Sequence, residues 1–191
     1  MRRDRRRIGL TLFEFLIVGS LITLVSAMLL QFSLQHANLQ NTLMAQGELR
    51  AEAAIALDSM LKELRHTTRT AAASPPNLTI PAAPNNTQAQ FYVPVDADGN
   101  GVIVDAAGAL EWDAANPIQY QYDQAAQQLL RTSGAATRVL ANHVTAATFT
   151  DRAIDGTLPA DEVRIRLTLS RTTPHGQLCS TDVNAVVKLR N

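Results

Sequence analysis

From Leu10 to Leu30 the chain runs 21 residues with one charged side chain, Glu14. Wound into a helix at about 1.5 Å per residue, this stretch is roughly 31 Å long, the thickness of a bilayer's hydrocarbon core. No other stretch comes near this, so the rest of the molecule must be organised around an N-terminal anchor. Arg2, Arg3, Arg5, Arg6 and Arg7 precede it, with Asp4 among them. Basic residues before a span predict a cytoplasmic N-terminus, with everything after Leu30 on the far side of the membrane.

Three kinds of segment share these features. A cleaved secretory signal would use Val25-Ser26-Ala27 as its small-residue cleavage site, but apolar residues continue through Met28, Leu29, Leu30, Phe32 and Leu34. A plain uncleaved anchor leaves Glu14 unexplained, because an acidic group deep in a span costs about 2.5–3.5 kcal/mol on insertion scales. The third accounts for the carboxylate. The stretch "GLTLFEFLIVGSLI" resembles the class III signal of type IV prepilins and pseudopilins: a basic leader ending in glycine, an apolar run, and a glutamate fifth from the cut. The resemblance implies that a prepilin peptidase cuts after Gly9 and methylates the amine of Leu10, leaving Glu14 as the fifth residue. Leu10 stands where the family most often has Phe. The family's known behaviour gives Glu14 an assembly role, and simple electrostatics supports it. A carboxylate is costly alone in low dielectric and is compensated when it meets the terminal amine of a neighbouring subunit.

The rest of the chain is consistent with that layout. No proline occurs before Pro75 and no charge between Glu14 and Glu48. Leu43, Gly47, Arg50, Ala54, Leu57, Leu61 and Leu64 recur at three- and four-residue steps, which predicts one helix over 10–66 with 10–30 in the membrane and an amphipathic second half. Four of the eight prolines fall in "AAASPPNLTIPAAPNNTQAQ", an extended connector with room for an edge strand at Leu78–Ile80. Beyond it, period-two alternation predicts antiparallel strands. Ile118, Tyr120 and Tyr122 share one face. Val163, Ile165, Leu167 and Leu169 alternate with Arg164, Arg166, Thr168 and Ser170, and "VVKLRN" closes the chain. The expected fold class is therefore α+β and pilin-like: leader 1–9, long helix 10–66, and a periplasmic sheet domain over 67–191. "NPIQYQYDQAAQQLLR", "RVLANHVTAATFTD" and "VVKLRN" resemble, in order, segments of J-type minor pseudopilins and W-type minor pilins. Many pilins carry a proline in the membrane half of the helix; "MLLQFSL" has none, which fits a minor component.

One cluster is ligand-like. In "DADGNGVIVD", Asp96, Asp98, Asn100 and Gly101 match positions one, three, five and six of a calcium loop. Position twelve is Ala107, so Asp105 or Glu111 would have to supply the missing carboxylate. Two readings stand: a structural calcium site, or a plain hairpin in which "DGNG" turns between two valine-rich strands. The four histidines show no metal spacing, the lone Cys179 cannot form an internal disulfide and fits a small, partly buried position in a late strand or a pairing between chains, and no nucleophile or phosphate-loop motif is present. Asp161 and Glu162 are adjacent before a strand and read as capping or solvated groups. An enzyme is not expected.

Net charge is zero, but a cut after Gly9 takes the basic and acidic counts from 17 and 17 to 12 and 16, leaving a mildly acidic body. That gives no electrostatic drive toward nucleic acid. The resemblance implies a single-pass protein of the bacterial inner membrane, with sibling minor subunits and the major subunit as partners. It would act at or near the tip of a type II secretion pseudopilus or type IV pilus and help prime assembly. The alternative is a minor pilin that binds secreted cargo or DNA, for which Arg131, Arg138, Arg152, Arg164, Arg166 and Arg171 are the candidate contacts.

Overall fold

The computed structural model describes residues 12–68 and 77–190. Its elements are one long helix, α1 (Leu12–Leu64), followed by strands β1 (Leu78–Thr79), β2 (Gln88–Phe91), β3 (Ile118–Asp123), β4 (Gln128–Ser133), β5 (Ala136–Ala141), β6 (Val144–Thr150), β7 (Glu162–Thr172) and β8 (Leu178–Lys188). The α+β layout expected from the patterning is present: a long apolar helix, then antiparallel sheet. The chain divides into two units, 1–43 and 44–191.

In the first unit, the helix carries an 18-residue window with mean hydropathy 2.2, none of it buried against protein, and so is long and apolar enough to cross a bilayer. Two of its hydroxyls are satisfied within the helix. Ser20 Oγ donates to the Ile17 carbonyl at 2.8 Å, and Thr23 Oγ1 to the carbonyls of Gly19 and Ser20 at 3.0 and 2.8 Å. A polar group that brings its own acceptor can sit in hydrocarbon at little cost.

The second unit holds the core. β1 to β5 form one antiparallel sheet in chain order, and β6 to β8 form another. β7 and β8 pair over their full length, from Glu162 opposite Lys188 to Thr172 opposite Leu178. The inward row of β7, Val163, Ile165, Leu167 and Leu169, is completely buried, as its alternation predicts. Tyr120 lies between Phe91 and Phe149, with ring centroids 5.6 and 6.4 Å away. Cys179 is buried on β8.

Two expectations are corrected. Of the row expected to face inward only Leu64 is fully buried, and the rest of the buried face is a different one. Ala45, Leu49, Ala53, Ala56, Met60 and Leu64 are buried. Gly47, Arg50 and Ala54 are exposed, while Leu57 and Leu61 are only half-buried at the margin. Small alanines let the helix axis approach its neighbours closely, so they take the centre and the larger leucines flank it. The helix also ends at Leu64, with Thr67 N–H bonding the Leu64 carbonyl at 3.2 Å in a tightened last turn.

The second correction concerns residues 91–113. The segments on either side of "DGNG" do not pair with each other. Pro94 bridges Trp112, and Val104 bridges Leu110. Both segments lie against 109–113, through Val95 N–H to the Glu111 carbonyl at 3.1 Å and Glu111 N–H to the Ile103 carbonyl at 3.0 Å. Residues 96–102 form a loop above this arrangement rather than the turn of a simple hairpin.

Three glutamates fix α1 on the sheets. Glu48 accepts from Arg171 Nη1 at 2.9 Å, and Glu52 accepts from the Asn142 backbone N–H at 2.6 Å. Glu63 accepts from the Tyr120 hydroxyl at 2.6 Å and from Arg131 Nε at 3.0 Å to each oxygen. The last of these is the most enclosed. The Tyr120 side chain is buried, and burial, then the Glu63 hydrogen bond and charge, push its hydroxyl pKa well above its ordinary value.

Candidate functional site

The ligand-like loop is built by two glycines and three carboxylates. Gly99 and Gly101 adopt φ of 76° and 85°, the left-handed region that a side chain disfavours. These turns aim successive backbone N–H groups inward. Asp96 Oδ1 accepts from Gly99 and Asn100 N–H at 2.8 and 3.0 Å, and Oδ2 accepts from Gly101 N–H at 2.8 Å. The Gly101 bond is the largest of the contacts that hold the Asp96 carboxyl below its ordinary pKa. Asp98 accepts from Asn100 N–H and Nδ2 at 2.9 and 2.8 Å.

Glu111 reaches in from the returning segment. Its Oε2 accepts from Ala97 and Asp98 N–H at 2.6 and 3.4 Å. One oxygen each from Asp96, Asp98 and Glu111 lies within 4.8 Å of the others. Oxygens around a common calcium ion sit about 2.3–2.6 Å from it, so they can be separated by at most roughly 5 Å. An all-oxygen donor set with three negative charges suits a hard divalent cation and not a thiolate- or imidazole-seeking metal.

Of the four residues predicted for this site, Asp96, Asp98 and Asn100 come together. Asp105 does not join them. Its Oδ1 accepts from the N–H groups of Ala107 and Ala109, both at 2.8 Å, and closes the turn at Gly108. Glu111 provides the third carboxylate. The expectation that Asp105 belongs to the site is thus corrected: the bridge of Pro94 to Trp112, with Val95 N–H on the Glu111 carbonyl, carries Glu111 beside Asp96 in its place.

Glu14 lies in the first described turn of α1, where a carboxylate is favoured by the helix dipole. Gly9 and Leu10 lie outside the described residues. Of the arginines proposed for nucleic acid, Arg131 and Arg138 stand opposite one another on β4 and β5, and Arg164, Arg166 and Arg171 lie along β7. Arg131 is held by Glu63 at 3.0 Å, Arg164 by Asp155 at 3.0 Å and Arg171 by Glu48 at 2.9 Å. Asp161, half-buried just before β7, pairs with Lys188 at 3.3 Å rather than standing solvated. The clamp of Glu63, Tyr120 and Arg131 was missed in the sequence, although Tyr120 and Arg131 are a direct cross-strand pair.

Comparison of the chain with protein-family models, characterised proteins and solved structures finds no match, so the functional reading rests on the residues and geometry above.

Proposed function

We propose that this chain is a minor pseudopilin or minor pilin, a structural subunit at or near the tip of a type II secretion pseudopilus or type IV pilus that helps prime filament assembly. It is inserted once in a bacterial inner membrane, cut after Gly9 by a prepilin peptidase and methylated on Leu10, with its sheet domain in the periplasm. The observation that carries this reading is α1 itself. One uninterrupted helix has an apolar first half whose early turn holds Glu14, and a second half that packs on antiparallel sheets. Sequence order within the sheet domain favours the J and W types. The DNA-binding alternative draws no support from the arginines, since three of the six candidates are already paired with carboxylates.

The test is the mass of the protein recovered from its native host. The expected N-terminus is N-methylated Leu10. A chain beginning at Met1 or Met28 overturns the reading.

Within the same proposal, Asp96, Asp98, Asn100 and Glu111 hold a calcium ion that closes the loop after export. Calcium at a hundredfold excess over its dissociation constant should stabilise the domain by about 2.7 kcal/mol, a rise of roughly 5–10 °C in melting temperature. Glu111→Gln should remove most of that rise. Equal melting temperatures in millimolar calcium and in EDTA would rule the site out.

A further inference from the structure

Asn100 is the only asparagine in the chain that is followed by glycine. Both residues are exposed in the 96–102 loop. An Asn-Gly pair has a reaction of its own open to it. The glycine backbone nitrogen attacks the side-chain carbonyl carbon of the asparagine and closes a five-membered imide. Glycine has no Cβ to obstruct that approach. In a mobile chain the reaction is slow, because the side chain rarely meets the nitrogen in the right geometry.

In this loop each polar group of that reaction is held. Val102 N–H donates to Asn100 Oδ1 at 2.8 Å. A side-chain oxygen bonded to the N–H two residues on folds the carboxamide over the intervening amide, which is that of Gly101. The same bond polarises the carbonyl and meets the charge that develops on its oxygen during attack. At the nucleophile, Gly101 N–H donates to Asp96 Oδ2 at 2.8 Å, which gives the proton a path away from the attacking nitrogen. At the leaving group, Asn100 Nδ2 donates to Asp98 Oδ2 at 2.8 Å and to the Val104 carbonyl at 3.4 Å. Those acceptors enrich a nitrogen that must take up a proton before it departs. A methyl group built on Gly101 would meet nothing within 4 Å, so no neighbour crowds the closing ring.

We propose that Asn100 and Gly101 form a self-deamidating site, in which the folded loop itself drives loss of the Asn100 amide. The bond from Gly101 N to Asn100 Cγ forms and the Cγ–Nδ2 bond breaks. The proton released from Gly101 N ends on the departing nitrogen, which leaves as ammonia. Water then opens the imide at either carbonyl, and aspartate or isoaspartate stands at position 100. The product adds a negative charge beside Asp96, Asp98 and Glu111 and turns the donor facing Asp98 into an acceptor, so like charges push the loop apart. The step is one-way, and the charge of the loop therefore records the age of the folded chain. The inference depends on neither the filament reading nor the calcium reading.

The test uses the full chain in detergent micelles, incubated in EDTA at neutral pH and then digested, with the peptide that holds Asn100 weighed and fragmented. The amide-to-acid mass change is expected at Asn100, in normal and iso forms. It should appear at least about tenfold faster in the native chain than in the same chain unfolded in guanidinium chloride. Asp96→Asn keeps an acceptor for Gly101 N–H but takes no proton. It should slow the native reaction about tenfold at an unchanged melting temperature, and leave the rate of the unfolded chain as it is. A reaction as fast or faster in the unfolded chain, an unslowed Asp96→Asn chain, or an intact Asn100 beside an Asp98 that isomerises without change of mass would each overturn the inference. If Asp96→Asn lowers the melting temperature, the native and unfolded rates of the wild-type chain decide alone.

Discussion

Replacing Glu14 with leucine should leave the chain folded and membrane-inserted yet reduce its incorporation into filaments by about tenfold or more. The sign follows from electrostatics. A lone carboxylate in the span costs about 2.5–3.5 kcal/mol on insertion scales, so E14L should insert at least as well as wild type. Under the proposed function, what it loses is the partner for a terminal amine on a neighbouring subunit. In low dielectric that pair is worth more than the approximately 1.4 kcal/mol that corresponds to a tenfold change. The measurement is the ratio of E14L to wild-type chain in sheared filaments from cells expressing both, with membrane content as the reference. Equal ratios in filaments and membranes would remove the assembly role from Glu14. Glu14→Asp keeps the charge on a shorter arm and should fall between the two.

The largest effect on stability is expected at Glu63. Alanine there leaves the buried Tyr120 hydroxyl without its acceptor and Arg131 without its counter-ion. Breaking a buried pair from one side typically costs 3–5 kcal/mol. Here the two charged side chains keep 24% and 27% of their exposure, and solvent screening brings the expected loss to about 2–3 kcal/mol. Thermal or urea melts should show it. Glu52→Ala, at an exposed contact to Asn142, should cost less than about 1 kcal/mol. If both variants melt within about a degree of wild type, the clamp does not anchor α1.

The same cluster gives a pH signature. Tyr120 has its folded-state pKa raised above the ordinary 10.0. The neutral hydroxyl is therefore favoured by folding, and this contribution is complete below pH 10. It is lost as pH rises from there toward the folded value, at about 1.4 kcal/mol per pH unit. Tyr120→Phe should flatten that part of the alkaline decline. An identical decline in wild type and Tyr120→Phe would show that the hydroxyl does not titrate differently on folding.

The residues differ in how openly they announce their place. Val163, Ile165, Leu167 and Leu169 could be assigned to the core by alternation alone, because large apolar groups on one side of a strand have no other use. The second half of β8 was visible for the same reason. Of its first half only Cys179 was set in a strand, because its inward positions, Cys179 and Thr181, are too small and too polar to mark a face. The helix misled in the opposite way. Its leucines drew attention to one side, while close packing favoured the alanines beside them. The loop over 96–111 was half legible: glycine and aspartate spacing showed the turn, but the choice of Glu111 over Asp105 depends on a pairing set by segments outside the motif. The Glu63 clamp joins residues 57 and 68 positions apart, and no local pattern encodes such a distance.

In both sheets, each strand lies beside the strand that follows it in the chain. A domain wired this way closes its hydrogen-bonded ladders one hairpin after another and brings few distant segments together early. Low contact order of this kind favours rapid folding. Within each sheet a strand can find its partner as soon as both are available, whereas the last residues, through β8 on β7 and Arg190 N–H on the Thr67 carbonyl at 3.0 Å, close the contacts that return to the segment after α1.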